Sequence, residues 1–186
     1  MRVGDRLKGI FGVLVTALGS LEVAVAGSAT YQYFRYTPTK LRNGASANSV
    51  QLSELQLYNG GTRINGANAS NPGGNNPGNE GPEKAVDGLR STKWLDFNQN
   101  PLMLNYGSPI TIDNYRWATA NDATERDPIR WTLEGSANGT TWTLIDDRSN
   151  ADQSVTMNRG AYLANMNLNQ IPDTPVITFS VTAGGV

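Results

Sequence analysis

The sequence contains no cysteine and no histidine. Without cysteine the chain can form no disulfide, no thiolate metal site and no cysteine nucleophile. Without histidine it has no Ser-His-Asp arrangement, no histidine-ligated zinc, and no side chain whose ordinary pKa lies near neutrality for general base catalysis. Carboxylate chemistry, as in glycoside hydrolysis, is the one enzymatic option that remains open.

Charged residues are also scarce, at 17% of the 186 residues. The 15 basic and 16 acidic side chains nearly cancel, so no long-range field draws nucleic acid or an anionic membrane to the protein. Glycine is abundant instead, with 20 residues. This balance is typical of turn-rich β proteins rather than of long, surface-charged helices. The composition predicts an all-β protein that does not bind nucleic acid.

Short strand patterns follow one another through the middle of the chain. They are bounded by glycine, asparagine and proline, and none shows the sustained periodicity of a long helix. We therefore predict a jelly-roll-like β-sandwich with the tryptophans at 94, 117 and 131 in its core. The predicted strands cover residues 31–36, 48–58, 102–106, 110–119 and 130–136 and the hairpin 131–146.

The hairpin is the clearest local signal. Trp131 and Leu133 alternate with polar residues, an Asn-Gly pair at 138–139 supplies the turn, and Trp142 and Leu144 resume the alternation. This pattern predicts two antiparallel strands with one buried aromatic face.

The segment 48–58 changes phase. Leu52 belongs to one alternating set and Leu55 to the next, one residue out of step, as a β-bulge near Ser53 and Glu54 would produce. We expect the Glu54 carboxylate to lie beside that bulge and to turn towards the interior. The following segment, 59–80, has almost no apolar residues and is predicted to be a long loop.

Both ends of the chain carry apolar segments. Residues 1–30 have the outline of a secretory signal peptide, with small residues before Gly27, although Asp5 and Glu22 are unusual in one. The alternatives are an arm packed on its own domain and an arm buried in an assembly of many chains, and we expect the assembly. Residues 166–186 predict a linker and one strand, which pairs either within this domain or with a neighbouring subunit.

Two motifs occur at a defined spacing in the middle of the chain. The first contains Ala85, Asp87, Gly88, Thr92 and Trp94, and the second Ser136, Asn138, Gly139 and Trp142. Together they resemble the discoidin domains, also called coagulation factor V/VIII C-type domains, and the related galactose-binding-like carbohydrate-binding modules. The resemblance spans about residues 31–165. The Glu-bearing strand that closes the family pattern here precedes the Asp-Gly loop, which indicates a circular permutation.

The resemblance implies a structural calcium ion within the Asp-Gly loop. Calcium prefers several oxygen ligands in a flexible cage, which such a loop and two carboxylates can supply. The alternative is a plain turn in which Asp87 accepts backbone N–H bonds, and Trp94 is core in both cases. The implied ligands are Asp87, Thr92 and Glu54, with the carbonyls of Ala85 and Leu89.

The resemblance also implies glycan binding by loops at one end of the sandwich. One candidate is the loop with Asn121, Asp122, Arg126 and Asp127, and another is the asparagine-rich segment 71–79. Neither has an aromatic residue of its own for a sugar ring. The structural alternative for Arg126 and Asp127, which we favour, is an ion pair or a turn before Pro128.

These observations leave three functional classes. The first is a non-catalytic structural component of a bacteriophage virion, such as a capsid decoration or cement protein or a tail-fibre subunit. It would contact other subunits through its terminal arms, form a homo-oligomer without a membrane span, and display a discoidin-like domain to cell-surface glycans. The second is a secreted carbohydrate-binding module with a cleaved signal peptide, and the third a glycoside-active enzyme.

Overall fold

A computed structural model of the chain describes residues 27–168. Most of the predicted N-terminal arm and the predicted C-terminal strand lie outside these residues. Within the described range the helical elements are three short 3-10 turns, at Gly44–Ser46, Pro82–Ala85 and Thr124–Arg126. No helix within the same residues has the length and apolar character needed to cross a membrane.

Eleven β-strands form three antiparallel sheets in the described residues. The five-stranded sheet has the order β10-β9-β1-β7-β5, the four-stranded sheet β11-β8-β3-β4, and the small sheet β2-β6. The strands are β1 Ala29–Leu41, β2 Val50–Leu52, β3 Glu54–Asn59, β4 Thr62–Ile64, β5 Asn68–Ser70, β6 Trp94–Asp96, β7 Leu102–Ile112, β8 Asn114–Ala118, β9 Pro128–Ser136, β10 Thr143–Asp147 and β11 Met166–Asn167.

The core lies between the two larger sheets. Trp117 on β8 meets Trp131 on β9 edge to face, with ring centroids 5.6 Å apart, and Tyr36 packs on Trp131 from β1. All three are fully buried, as is Trp94 on β6. The predicted all-β sandwich with a tryptophan core is therefore confirmed.

The aromatic strand β1 lies in the centre of its sheet, between β9 and β7. Phe34 and Tyr36 point into the core and are fully buried. Tyr31 lies directly over Gly135 of β9, where an added Cβ would stand 2.1 Å from the Tyr31 ring. A register shift between Tyr31 and Tyr33 brings Tyr31 to the same, core-facing side as Phe34, and the two rings meet edge to face with centroids 6.4 Å apart.

The phase change predicted near Ser53 is a complete break between β2 and β3. β2 pairs with β6, whereas β3 pairs with β8. The Ser53 hydroxyl donates to the carbonyl of Thr119 at 2.9 Å, which holds the break closed. Leu52 and Leu55 are both buried on either side of it.

The prediction of an unstructured loop over 59–80 was wrong, because the segment contains the two short strands β4 and β5. Gly60 and Gly61 have φ values of +55° and +79°, so they form a tight turn that folds β4 back onto β3. β5 then adds an edge strand to β7. The glycine pair was the local signal, and the polar composition obscured it.

The predicted strand 110–119 is divided between β7 and β8. The chain turns at Asp113, whose N–H bonds to the carbonyl of Tyr58 and whose carboxylate accepts the N–H of Gly60. The first part therefore completes the five-stranded sheet and the second part belongs to the opposite sheet.

The hairpin of β9 and β10 is confirmed, but its second strand does not bury the predicted residues. Its register shifts between Leu144 and Asp146, so Ile145 turns inward while Leu144 is 36% exposed. Trp142 is half-buried under the Arg35 guanidinium, 4.4 Å from the ring centroid. The extra residue of a β-bulge reverses the alternation beyond it.

The contact between Tyr31 and Gly135 gives a stability prediction. Gly135→Ala should lower the free energy of unfolding by about 1–3 kcal/mol, because the new methyl group overlaps ring atoms near the base of the Tyr31 side chain. Gly78→Ala is the matched control, since an added Cβ there meets nothing within 4 Å. Denaturant unfolding of both variants measures the difference, and equal midpoints would contradict the packing described.

Candidate functional site

The Asp-Gly loop follows the short 3-10 turn Pro82–Ala85 and leads into β6. Gly88 has φ of +84°, a conformation that favours glycine and lets the chain reverse here. The Asp87 carboxylate accepts the N–H of Leu89 at 2.9 Å. Thr92 Oγ1 lies 3.0 and 2.9 Å from the two Asp87 oxygens and 2.9 Å from the carbonyl oxygen of Leu89.

Glu54 joins this loop from the start of β3. Its carboxylate is fully buried, with Oε1 accepting the N–H of Gly88 at 2.6 Å. Oε2 accepts from Gln56 Nε2 at 3.1 Å and from Arg63 Nη2 at 3.2 Å. Burial raises the pKa of the Glu54 carboxyl, and the hydrogen bonds from Gln56 and Gly88 with the charge of Arg63 offset part of the rise. The inward orientation expected for Glu54 is observed.

The oxygen atoms of this loop match the ligand types that calcium prefers. Thr92 has one hydroxyl proton but three acceptor oxygens within 3.0 Å, so it can satisfy only one of these close contacts as a donor. A cation bound between these oxygens would make the remaining close oxygen–oxygen contacts favourable. Across residues 27–168 no three acidic side chains converge, so hydroxyl and carbonyl oxygens would have to complete the cage. Lys84 Nζ, at 3.8 Å from Asp87, is a competing cation, and Ala85 is buried.

In the first candidate glycan loop, the side chains of Asn121 and Asp122 form hydrogen bonds within the protein. Asn121 Nδ2 donates to the carbonyl of Ser91 at 2.8 Å. Lys93 Nζ donates to Asp122 at 2.6 Å, and although burial raises the pKa of Asp122, this bond and the lysine charge lower it overall. Both side chains thus brace the loop against the segment that precedes β6.

Asp127 lies in the interior and Arg126 at the surface. Both Asp127 oxygens bond to Arg159, at 2.8 and 2.6 Å, and Oδ2 also accepts from Arg42 at 3.2 Å. Arg126 Nε instead donates to Asn48 Oδ1 at 3.1 Å. The favoured structural alternative is therefore partly right: the segment does turn before Pro128, but Asp127 pairs with Arg42 and Arg159 rather than with Arg126. Asp127 is not accessible to a ligand.

Phe97, an exposed aromatic residue, has its backbone beside the asparagine-rich segment. Phe97 is 44% exposed, and its N–H donates to the carbonyl of Asn75 at 3.0 Å. The preceding residue, Asp96, is fully buried and accepts the backbone N–H groups of Asn75, Asn98 and Asn100 at 2.6, 3.1 and 2.7 Å. One buried carboxylate thus fixes the backbone on both sides of the Phe97 ring.

Asparagine side chains brace the same loop. Asn76 Nδ2 donates to the carbonyl of Leu95 at 2.7 Å, and Asn98 Nδ2 to that of Gly73 at 2.8 Å. Asn71 Nδ2 donates to the carbonyl of Pro101 at 3.0 Å. These bonds connect the asparagine-rich segment to residues 95–101, which include Phe97. The loop is therefore held by hydrogen bonds despite its lack of apolar residues.

A surface recess adjoins this loop at Gln99, which has φ of +56° and donates from Nε2 to the carbonyl of Ala47 at 2.8 Å. The recess has a volume of about 270 Å³. Its one charged lining group, Lys40, pairs with both oxygens of Asp152 at 2.9 Å. The lining residues are Pro38, Thr39, Lys40, Leu41, Gly44, Ala45 and Gln99.

Sequence reasoning missed Phe97. The asparagine-rich segment has no aromatic residue of its own, but Phe97, 22 residues after Asn75 in the chain, lies beside it in the structure. The available signal was an isolated phenylalanine between Asp96 and Asn98, beyond the last residue of a short strand. We shall call Phe97, with Asn75, Asn98 and Gln99, the Phe97 surface.

Comparison with known proteins gives one family and one relative. The family profile described as F5/8 type C domain matches residues 66–175, more than half of the chain. A peptide-N(4)-(N-acetyl-beta-glucosaminyl)asparagine amidase of Arabidopsis thaliana is 35% identical over 71 residues, which cover 35% of this chain. The chain spans about a tenth of that relative. No solved structure matches.

Proposed function

The chain belongs to the F5/8 type C family, and from that premise we propose that it is a non-catalytic, glycan-binding module. The single observation that carries the proposal is the exposed Phe97 ring on a loop that hydrogen bonds already hold in place. Glycan sites combine an apolar surface for the C–H face of a sugar with a few fixed polar groups for its hydroxyls. A loop ordered before binding loses little further entropy when the ligand arrives.

The character of the Phe97 surface favours an uncharged sugar. Its polar groups are amides, the Asp96 carboxylate beneath it is buried, and the Lys40 ammonium in the adjoining recess is paired with Asp152. The relative in Arabidopsis carries a name that refers to an N-acetyl-β-glucosaminyl asparagine. Chitobiose, the disaccharide of N-acetylglucosamine, is therefore the first ligand to test.

The non-catalytic assignment is supported by the use of the buried carboxylates. Asp127 is bonded to Arg42 and Arg159, and Asp96 accepts three backbone N–H groups. Asp146 bonds to Arg148 and to the Tyr115 hydroxyl. Groups committed in this way to structural hydrogen bonds are poorly suited to exchange protons with a substrate.

We also propose that the domain is circularly permuted. The family match begins at residue 66, yet β1 and β3 precede it in the chain. β1 lies between β7 and β9, and β3 lies between β8 and β4. Strands outside the matched range therefore occupy interior positions in both larger sheets, as a permutation would require.

We propose that the Asp-Gly loop holds a structural calcium ion. Asp87 and Thr92 would contribute side-chain oxygens, Ala85 and Leu89 carbonyls, and Glu54 the second carboxylate. The positive ion would compensate the negative charge of the two carboxylates in this oxygen-rich loop. Glu54 already orients the loop through the N–H of Gly88, and Arg63 shares its other oxygen.

For the biological setting we propose a bacteriophage virion, in which the module is a capsid decoration or cement protein or a tail-fibre subunit. The support is the apolar character of the terminal segments, which would contact other subunits and join the chain into a homo-oligomer. Secretion after cleavage of a signal peptide is the competing proposal, supported by the small residues at 24–26.

Phe97→Ala should weaken binding of chitobiose at least tenfold, about 1.4 kcal/mol, because it removes the surface on which the sugar ring stacks. Leu144→Ala is the control, since Leu144 is another exposed apolar side chain on a different strand. Isothermal titration measures both. Absence of binding to chitobiose and to a broad glycan array would contradict the function, whereas equal binding by Phe97→Ala would contradict the site alone.

Calcium should raise the thermal midpoint of the full chain relative to a chelator. At about a hundred times the Kd, binding to the folded state contributes about 2.7 kcal/mol, or about 5–10 °C for a chain of this length. Asp87→Asn should remove the gain, and Asp152→Asn, which alters a carboxylate paired with Lys40 and Arg130, should retain it. Identical wild-type curves with calcium and chelator would favour the plain turn.

Intact mass distinguishes the two settings. Expressed in a bacterium with a functional secretion pathway, the protein should keep residues 1–26 if they form an assembly arm. A mature species that begins at Gly27, recovered outside the cytoplasm, would contradict the virion proposal and support secretion.

A further inference from the structure

The outer face of the four-stranded sheet carries a layer of polar and aromatic side chains. Gln56 and Tyr58 project from β3 on the side opposite Leu55 and Leu57. Arg116 on β8 stands beside Gln56, and Arg63 on β4 stands beside Tyr58. Tyr162, which forms a bridge with Ala118, lies over this layer and bonds through its hydroxyl to Gln56.

Arg116 is held between two aromatic rings. Its guanidinium carbon is 4.1 Å from the Tyr162 ring centroid and 5.3 Å from that of Tyr58. Nε donates to Gln56 Oε1 at 3.1 Å, and that oxygen is itself fixed by the Tyr58 hydroxyl at 2.7 Å. Stacking and the Nε bond therefore set the plane of the guanidinium. Within residues 27–168 its two terminal nitrogens make no hydrogen bond.

Arg90 approaches the same tyrosine. Its guanidinium carbon is 5.6 Å from the Tyr162 centroid, and Nη1 donates to the carbonyl of Gly160 at 2.9 Å. Neither Arg90 nor Arg116 has a carboxylate within 4 Å in the described part of the chain. Most of the other arginines there do have such a partner, namely Arg35, Arg42, Arg63, Arg130, Arg148 and Arg159.

The nearest buried carboxylate does not neutralise these two arginines. Glu54 is shared among Gln56, Gly88 and Arg63, and its ion pair is with Arg63. Among residues 27–168, therefore, Arg90 and Arg116 have no ion-pair partner on this face. A fixed guanidinium with free terminal N–H groups is the arrangement that binds planar or tetrahedral oxyanions through two parallel hydrogen bonds.

We propose that Arg116 and Arg90, whose guanidinium groups both lie within 6 Å of the Tyr162 ring, form an oxyanion-binding site for a carboxylate or sulfate group of an acidic saccharide. Arg116 would supply the directed hydrogen bonds and Arg90 additional charge. The site lies on a sheet face and uses none of the residues of the Phe97 surface. The oxyanion site itself does not depend on the proposed glycan-binding function. Only the inference that the anion belongs to a saccharide rests on that function.

The test is an NMR titration of the full-length protein, observing the arginine Nε–H signals at constant ionic strength. Sodium glucuronate and glucose 6-sulfate are compared with glucose, acetate and sodium chloride. We expect a saturable shift of the Arg116 signal with the two acidic sugars and none with glucose or chloride. Arg116→Gln should weaken the binding of glucuronate at least fivefold and Arg90→Gln less.

Two further variants separate a directed site from general attraction. Arg116→Lys keeps the charge and most of the packing but cannot form two parallel bonds, so it should not restore affinity. Arg130→Gln removes an arginine charge that Asp152 already compensates and should bind like the wild type.

The outcomes bear on the two proposals separately. A saturable response to acetate equal to that of glucuronate would support the oxyanion site and contradict a saccharide as its carrier. An equal loss in Arg130→Gln and Arg116→Gln, or a shift that only follows chloride, would overturn the site, while chitobiose binding at Phe97 would be unaffected.

Discussion

The break at Ser53 is the constraint on which the rest of the structure depends. β2 and β3 are consecutive and almost wholly buried, yet they pair with different strands in different sheets. Because the break shifts the alternation by one residue, Leu55 and Leu57 face the core and Glu54 and Gln56 face the opposite side. Glu54 anchors the Asp-Gly loop by accepting the N–H of Gly88, and Gln56 holds Arg116 by accepting its Nε–H.

Buried carboxylates then hold the loops that carry the candidate sites. Asp96 accepts hydrogen bonds from three backbone N–H groups around Phe97. Asp127 accepts hydrogen bonds from two arginines beneath the 121–127 segment. A buried charge is costly unless its hydrogen bonds are complete, so each of these loops has few alternative conformations. The surface residues of both loops are thus ordered by buried carboxylates, Asp96 and Asp127.

Sequence patterns predicted what depends on local alternation: the β9–β10 hairpin, the strand over 31–36 and the phase change at Ser53. They failed where one residue alters the register. Leu144 is exposed because of a bulge at Ile145, and β4 was hidden because its pairing depends on Gly60 and Gly61 rather than on apolar residues. Of the candidate site, Glu54 could be anticipated from its phase. Phe97 could not, because its asparagine partners come from a segment distant in the chain.

The antiparallel pair β2–β6 determines how the candidate sites relate to one another. Leu52 pairs with Trp94 at one end, beside Glu54 and the Asp-Gly loop, and Val50 pairs with Asp96 at the other end, beside Phe97. Leu95, which is buried and pairs with Gln51, lies between the two ends. A cation at the Asp-Gly loop would therefore act on Phe97 only through the stability of β6, since it shares no ligand atom with the Phe97 surface.

Arg116 belongs to a different sheet and is connected to the same loop through Gln56 and Glu54. Any coupling to the loop should therefore be stronger at Arg116 than at Phe97.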